Sequence, residues 1–531
     1  MLLRVMQILA IGLSLTAVVT LTPSQPAHAI SGLPAGFTSD LFIGGLNLPT
    51  AIAFAPNGKV FIAQKDGHVR VWNNGILQGA DFIDISSQVN NSGDRGLLGI
   101  AVHPNFPVTP YVYLLFTYDP PTLTADGSGA RVSRLIRVSA DAATNYNTAL
   151  PNSTVIMLGT NSLAANVGDP NSNDGIPSCE NINGYTGYVP DCLPNDSNTH
   201  SIGTVVFGQD GALYVGNGDG SSANYVDARA LRALEVGSLS GKILRIDPIT
   251  GQGLADNPFY NGDLSSNQSK VYNLGLRNPF RFTISPYDGK PYIGDVGWNT
   301  WEEINTGRGM NFGWPCYEGD NTGSAQQPGY ATSGGTFTRC SQLYNAGPAA
   351  VQAPSYAYNH TPGISAAIVG GAFYSGTAYP QQYQGALFYA DYNNDWIKYL
   401  TFQTTTTPSL TTLASDTFTR TNSTDIGASW DAGYNGRVPF SLLNNAIQPA
   451  KGGDRSTESY NAVMLPADQW GEVKLSTFAG PYYAYAGVYL RMSGPPSKNG
   501  YLFKVTNQYG FSDPTSAIYK VVDDTFTVLA S

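Results

Sequence analysis

The residues best placed to do chemistry begin at Thr199-His200-Ser201, immediately before the apolar run Ile202 to Phe207. His200 stands at the mouth of a predicted strand, where an imidazole that titrates near neutral pH can act as a general base. A turn at Gln209-Asp210-Gly211 and a second run, Ala212 to Val215, complete a hairpin, because Asp-Gly tolerates the backbone angles such turns need. A solvated histidine beside a turn is the competing reading of His200 alone. Arg277-Asn278 offers a cation next to an amide, and Asp219 a carboxylate between two glycines. Each has a plain structural alternative: Arg277 paired with a carboxylate such as Asp295, and Asp219 as a turn residue. Asp169, Asn171, Asn173 and Glu180 are spaced like a calcium loop, but Asp174 occupies the position where that loop needs glycine.

The elements that must position these groups recur. An apolar strand, a Gly/Asn/Asp turn and an aromatic-rich strand appear at Ile52 to Ile62, Val205 to Val215 and Phe282 to Ile293. Looser copies run from Ile100 to Tyr113 and from Tyr379 to Tyr389. Basic-apolar third strands trail several of them, as in His68 to Trp72, Arg134 to Val138 and Lys242 to Ile246. Short strands in repeating groups without helical periodicity indicate propeller blades. Near residue 403 the texture changes to a Thr/Pro-rich linker, 404–415, and then to alternating strands that read as a β-sandwich over 416–531, open to lacking its last strands.

Composition sets the compartment and the partners. Arg4, an apolar run to Leu21 and Ala27-His28-Ala29 form a signal-peptide layout, so residues 1–29 are expected to be removed and the protein to be secreted or periplasmic. No later segment is apolar enough to span a bilayer. A net charge of −10 without a basic cluster argues against nucleic acid as a partner. The four cysteines fall into two local pairs, Cys179/Cys192 and Cys316/Cys340, for which disulfides within each pair are expected in an oxidising compartment.

Five motifs in order carry a resemblance. The first is Asp94-Arg-Gly-Leu-Leu-Gly-Ile-Ala-Val-His-Pro-Asn-Phe106, and the second is the His200 strand with Gly218-Asp-Gly220. Leu239 to Pro248 and Gly275-Leu-Arg-Asn-Pro-Phe280 follow, and then Asp295 to Asn305 leading into Asn311-Phe-Gly-Trp-Pro315. On these, residues 30–403 resemble the glucose/sorbosone dehydrogenase family of secreted propellers that oxidise aldoses with PQQ. The fold implied is all-β: a six-bladed-type propeller, complete or with a short last blade, followed by the sandwich. The resemblance implies His200 as the catalytic base and Arg277 as the cation beside the quinone. It also implies Asn278, Arg277 and Asp94 as cofactor contacts, and Gly297 and Trp298 as backbone ligands of Ca²⁺. Carbonyl oxygens suit that hard cation. The partners implied are a small sugar and an external electron acceptor, with a polysaccharide or cell-surface glycan for the C-terminal domain. This chain has Thr199 where the family has an acid before its base, and Asn393 where a cofactor-binding lysine falls. Two further cofactor arginines have no counterpart before the linker. The alternative is a carbohydrate- or surface-binding propeller that has lost PQQ.

Overall fold

The computed structural model describes residues 33–402 apart from 35–36, 174, 321–322, 333–336 and 361–364, and beyond them a set of strands between 430 and 530. Two compact units divide at Phe402/Gln403. The proposed signal segment 1–29 and linker 404–415 lie outside the described residues.

Among the described residues, five antiparallel sheets of three to five strands form the blades of the first unit, and a further two-stranded ladder pairs Tyr317–Asp320 with Gly323–Gln326. Blade 1 contains Pro49–Phe54, Val60–Gln64 and His68–Asn73; blade 2 contains Leu97–Val102, Tyr111–Tyr118, Arg131–Ser139 and Leu193–Asn195. Blade 3 is Ile202–Phe207, Leu213–Asn217, Lys242–Ile246 and Val271–Leu274. Blade 4 is Arg281–Ile284, Pro291–Asp295, Trp301–Thr306 and Tyr356–Asn359, and blade 5 is Ile368–Phe373, Leu387–Asp391 and Trp396–Leu400. The expectation of six blades is therefore corrected: the described residues form a five-bladed arrangement. The reason is visible in the repeats. Five hairpin copies precede the linker and each supplies one sheet, whereas the sixth blade rested on resemblance alone. The fifth copy was also misplaced, because its inner strand is Ile368–Phe373 and the Tyr379 region is a loop with a single 3₁₀ turn, Gln381–Tyr383.

Strand alternation builds the core between blades. In Tyr111–Tyr118, Leu114 and Phe116 face blade 1 with Val69 and Val71, while Tyr113 and Leu115 face blade 3 with Val215 and Leu244. Tyr214 and Ile243 then pack on Phe282 and Ile293 of blade 4, and Ile304 packs on Ile368 and Leu387 of blade 5. Period-two side chains thus bury both faces of each middle sheet. Near the axis the strands converge so closely that Gly203 is required: a Cβ there would lie 2.1 Å from the Phe280 carbonyl oxygen of blade 4. The outer faces at the two ends of this succession remain open, with Phe54 66% and Ile397 73% exposed.

The second unit, Gln403–Ser531, contains a four-stranded antiparallel meander of Tyr485–Leu490, Gly500–Thr506, Ser516–Val522 and Thr525–Ala530. Trp430–Ala432 pairs with Glu458–Tyr460, and Phe440–Leu443 with Ala446–Pro449.

Candidate functional site

Antiparallel pairing explains how distant residues meet. The start of an inner strand lies beside the end of the strand that follows it. Asp94, His200 and Arg277-Asn278 precede the inner strands of blades 2, 3 and 4, while Asp219 and Gly297-Trp298 follow the second strands of blades 3 and 4. All of them consequently collect at one mouth of the propeller.

His200 is 3% exposed and holds a left-handed φ of 48°. Such a backbone costs an L-residue about 1–2 kcal/mol and persists where its surroundings enforce it. Here Gly220 N–H donates to the His200 carbonyl at 3.1 Å, and Gly218 fits against that carbonyl where a Cβ would come within 2.1 Å. The His200 Nδ1 lies 2.9 Å from Asp219 Oδ1. The Asp219 carboxylate also accepts Ser221 N–H at 2.8 Å and Trp314 Nε1–H at 2.7 Å. Burial raises the Asp219 pKa, but His200, Arg277 and the Ser221 amide outweigh it and hold the group down to about 2. Burial and then the Arg277 charge lower the His200 pKa below its ordinary value, against the opposing pull of Asp219 and Asp94. The direction that fits both partners is a neutral imidazole donating Nδ1–H to an ionised carboxylate, which leaves Nε2 as the proton acceptor.

Arg277 is 5% exposed, yet it forms no ion pair among the described residues. Its Nη1 donates to the Val296 carbonyl at 3.0 Å, its guanidinium lies 5.3 Å from the Trp314 ring, and its Nε is buried without a partner. Asp295 does not take the guanidinium. It accepts the backbone N–H groups of Arg277 at 3.1 Å and Asn278 at 2.7 Å, fixing the turn from which both side chains project. Asn278 Oδ1 is likewise buried and unpartnered. The spare Arg277 N–H fits an anionic or carbonyl oxygen of a ligand, and the spare Asn278 Oδ1 fits a donor on it.

The remaining expected groups are placed as follows. Asp94 is exposed, its carbonyl accepts Ser201 Oγ–H at 3.2 Å, and its charge reaches His200. Gly297 admits no side chain, since a Cβ would lie 1.6 Å from the Trp301 carbonyl oxygen. Trp298 is anchored by Nε1–H to the Ala223 carbonyl at 2.8 Å and by its backbone N–H to Glu318 Oε1 at 2.7 Å. Among the described residues the Gly297 and Trp298 carbonyls accept no hydrogen bond, which suits Ca²⁺. No cluster of three His, Cys, Asp or Glu side chains could hold a metal among the described residues. Asn393 is exposed and donates its N–H to Asp391 at 2.9 Å. In the calcium-like loop Asp169 accepts the Asn171 N–H at 2.9 Å, and the Asn173 carbonyl accepts from Arg229. Cys179 joins Cys192 and Cys316 joins Cys340, with Cα separations of 5.6 and 5.1 Å. Sequence reasoning missed Trp314 and Glu318; both lie in or just after the Asn311-Phe-Gly-Trp-Pro315 motif, to which no role was attached.

A profile of the glucose/sorbosone dehydrogenase family matches residues 46–166 and 190–422, in the same order as these site segments. The chain belongs to this family. The quinoprotein glucose dehydrogenase B of Acinetobacter calcoaceticus is 27% identical over 318 residues, 57% of this chain and 56% of the relative. The HIPL2 protein of Arabidopsis thaliana is 28% identical over 347 residues, 60% of this chain and 45% of that protein. This member of the family thus spans about half the length of these curated relatives. An aldose sugar dehydrogenase of Streptomyces coelicolor, solved in a PQQ-bound form, is 20% identical, with 68% of this chain and 80% of that one covered at a TM-score of 0.45. Among the described residues of this family member, no helix is long and apolar enough to cross a membrane.

Proposed function

We propose that the mouth of this propeller is the site of a secreted or periplasmic sugar dehydrogenase that uses PQQ and Ca²⁺ to oxidise an aldose at its anomeric carbon. The observation that carries the reading is the buried Arg277 guanidinium, without a carboxylate partner and with an unsatisfied Nε, whose charge reaches an imidazole held at Nδ1 by Asp219. Oxidation of the anomeric hydroxyl breaks an O–H and a C–H bond. His200 Nε2 takes the proton, and Asp219 stabilises the imidazolium that forms. PQQ, when bound, supplies the acceptor for the hydride. Arg277 stabilises the negative charge that arrives with it, and Asn278 orients the ligand from the same turn. Gly297 and Trp298 would hold the Ca²⁺ through their carbonyls. An external electron acceptor would complete turnover, and residues 416–531 would bind a polysaccharide or surface glycan.

A second reading, a non-catalytic carbohydrate- or surface-binding propeller, draws support from the five-bladed arrangement and from the exposed, neutral Asn393. Titration of the purified protein with PQQ, with and without Ca²⁺, and dye reduction by aldoses separate the two. Saturable, Ca²⁺-dependent binding with sugar-dependent dye reduction is expected. Absence of PQQ binding at micromolar concentration, with the fold intact by circular dichroism, would sink the enzyme reading.

A further inference from the structure

We propose that Glu318 is a positioning residue that aims the Gly297 carbonyl at the cation and raises its affinity; this rests on the Ca²⁺ reading above. Glu318 sits in the short strand Tyr317–Asp320, two residues after Cys316, whose disulfide to Cys340 ties the segment down. It is 4% exposed. Its Oε1 accepts the Trp298 N–H at 2.7 Å and would lie 2.9 Å from a Cβ on Gly297, so the carboxylate rests directly on that peptide.

The Gly297–Trp298 peptide is trans. In a planar trans peptide the N–H and the preceding C=O point in opposite directions. A carboxylate fixed on the Trp298 N–H therefore turns the Gly297 oxygen away from Glu318, and it polarises the amide so that this oxygen becomes a stronger donor to a hard cation. Trp298 is clamped from a second side by its Nε1–H on Ala223, which removes rotation of the loop as an escape.

The other oxygen makes the same point independently. Glu318 Oε2 is buried without a hydrogen-bond partner, and Glu318 forms no ion pair among the described residues. A buried carboxylate with one hydrogen bond is unfavourable unless positive charge lies close by. A divalent ion on the far side of the peptide would supply such charge.

The test is calorimetric titration of the metal-free, full-length protein with CaCl₂ alone, in wild type, Glu318→Gln and Glu318→Leu. Gln keeps an oxygen for the Trp298 N–H and loses the charge; Leu loses both. Residues that orient metal ligands from behind typically change affinity by about 10–100-fold. Calcium binding is expected to weaken by about tenfold in Glu318→Gln and toward the upper end of that range in Glu318→Leu. Melting in EDTA reports on the fold separately. Equal calcium affinity in all three proteins overturns the proposal, even if the EDTA melting temperatures differ. Absence of calcium binding by the wild type overturns the underlying cation reading together with it, whereas binding that is insensitive to both substitutions leaves that reading standing and removes Glu318 alone.

Discussion

At the scale of single residues, the site is a contrast between a satisfied base and an unsatisfied cation. Asp219 accepts from three directions, so His200 has one tautomer and one free nitrogen. Because burial and Arg277 lower the His200 pKa, its folded-state value lies below the ordinary 6.5. The imidazole is then neutral at pH 7, and kcat/KM for an aldose should hold until the acid limb is reached below pH 6.5; an acid limb above 7 would contradict the assignment. The stability sign is the same. The unfolded chain binds a proton to His200 more readily than the folded one, so stability falls as pH drops below about 6.5. His200→Ala should abolish dye reduction while leaving PQQ binding nearly unchanged. Arg277→Ala should instead weaken PQQ binding by about 10–100-fold, the worth of one charge-assisted hydrogen bond at a buried site. Fluorescence titration distinguishes the two variants.

At the scale of elements, the β-ladder of blade 4 brings carboxylates together. Asp295 and Glu303 are register partners on adjacent strands. Burial, and then the Asp295 charge, push the Glu303 carboxyl up to about 8. Its folded-state pKa therefore exceeds its unfolded value of 4.5. Stability from this group is full below about pH 4.5 and is lost as pH rises through about 8. Glu303→Gln removes the titration and keeps an acceptor for the Gly319 N–H. A flipped Asn305, whose Oδ1 is buried and unpartnered, can receive the new amide donor. The melting temperature of this variant should depend less steeply on pH between about 5 and 8 than that of the wild type. An unchanged slope would mean that Glu303 is ionised throughout.

At the scale of the molecule, the blades stack face to face, and the long connections are tied down covalently. The Cys316–Cys340 bridge closes a loop with a sequence separation of 24 and underlies the cluster of Trp314, Tyr317 and Tyr330. In the chain-entropy view a loop of that length gives about 3 kcal/mol. Replacing both cysteines by serine should lower the melting temperature accordingly, and a melt indistinguishable from wild type would show that the bridge does not stabilise the propeller.

The sequence by itself determined the local units and the family. Alternating apolar residues and Asp-Gly or Asn-Gly turns are short-range signals, so the strand Ile202–Phe207 and the basic-apolar third strands could be placed from the residues alone. Ordered motifs such as Gly275 to Phe280 carried the family because their glycines and prolines meet local backbone demands. Five repeats were legible in the chain, and tertiary structure decided that each forms its own blade with no sixth among the described residues, since closure depends on how sheets pack around an axis rather than on any one repeat. It also decided which groups share the mouth. Asp219 reads as a turn residue until Trp314, from the connection between the third and fourth strands of blade 4, donates to its second oxygen. Arg277 and Asp295 read as an ion pair until the ladder places the carboxylate on the backbone and leaves the guanidinium with a carbonyl partner and no carboxylate. Those partnerships are made by strand ends meeting at the axis, a distance that no spacing along the chain encodes.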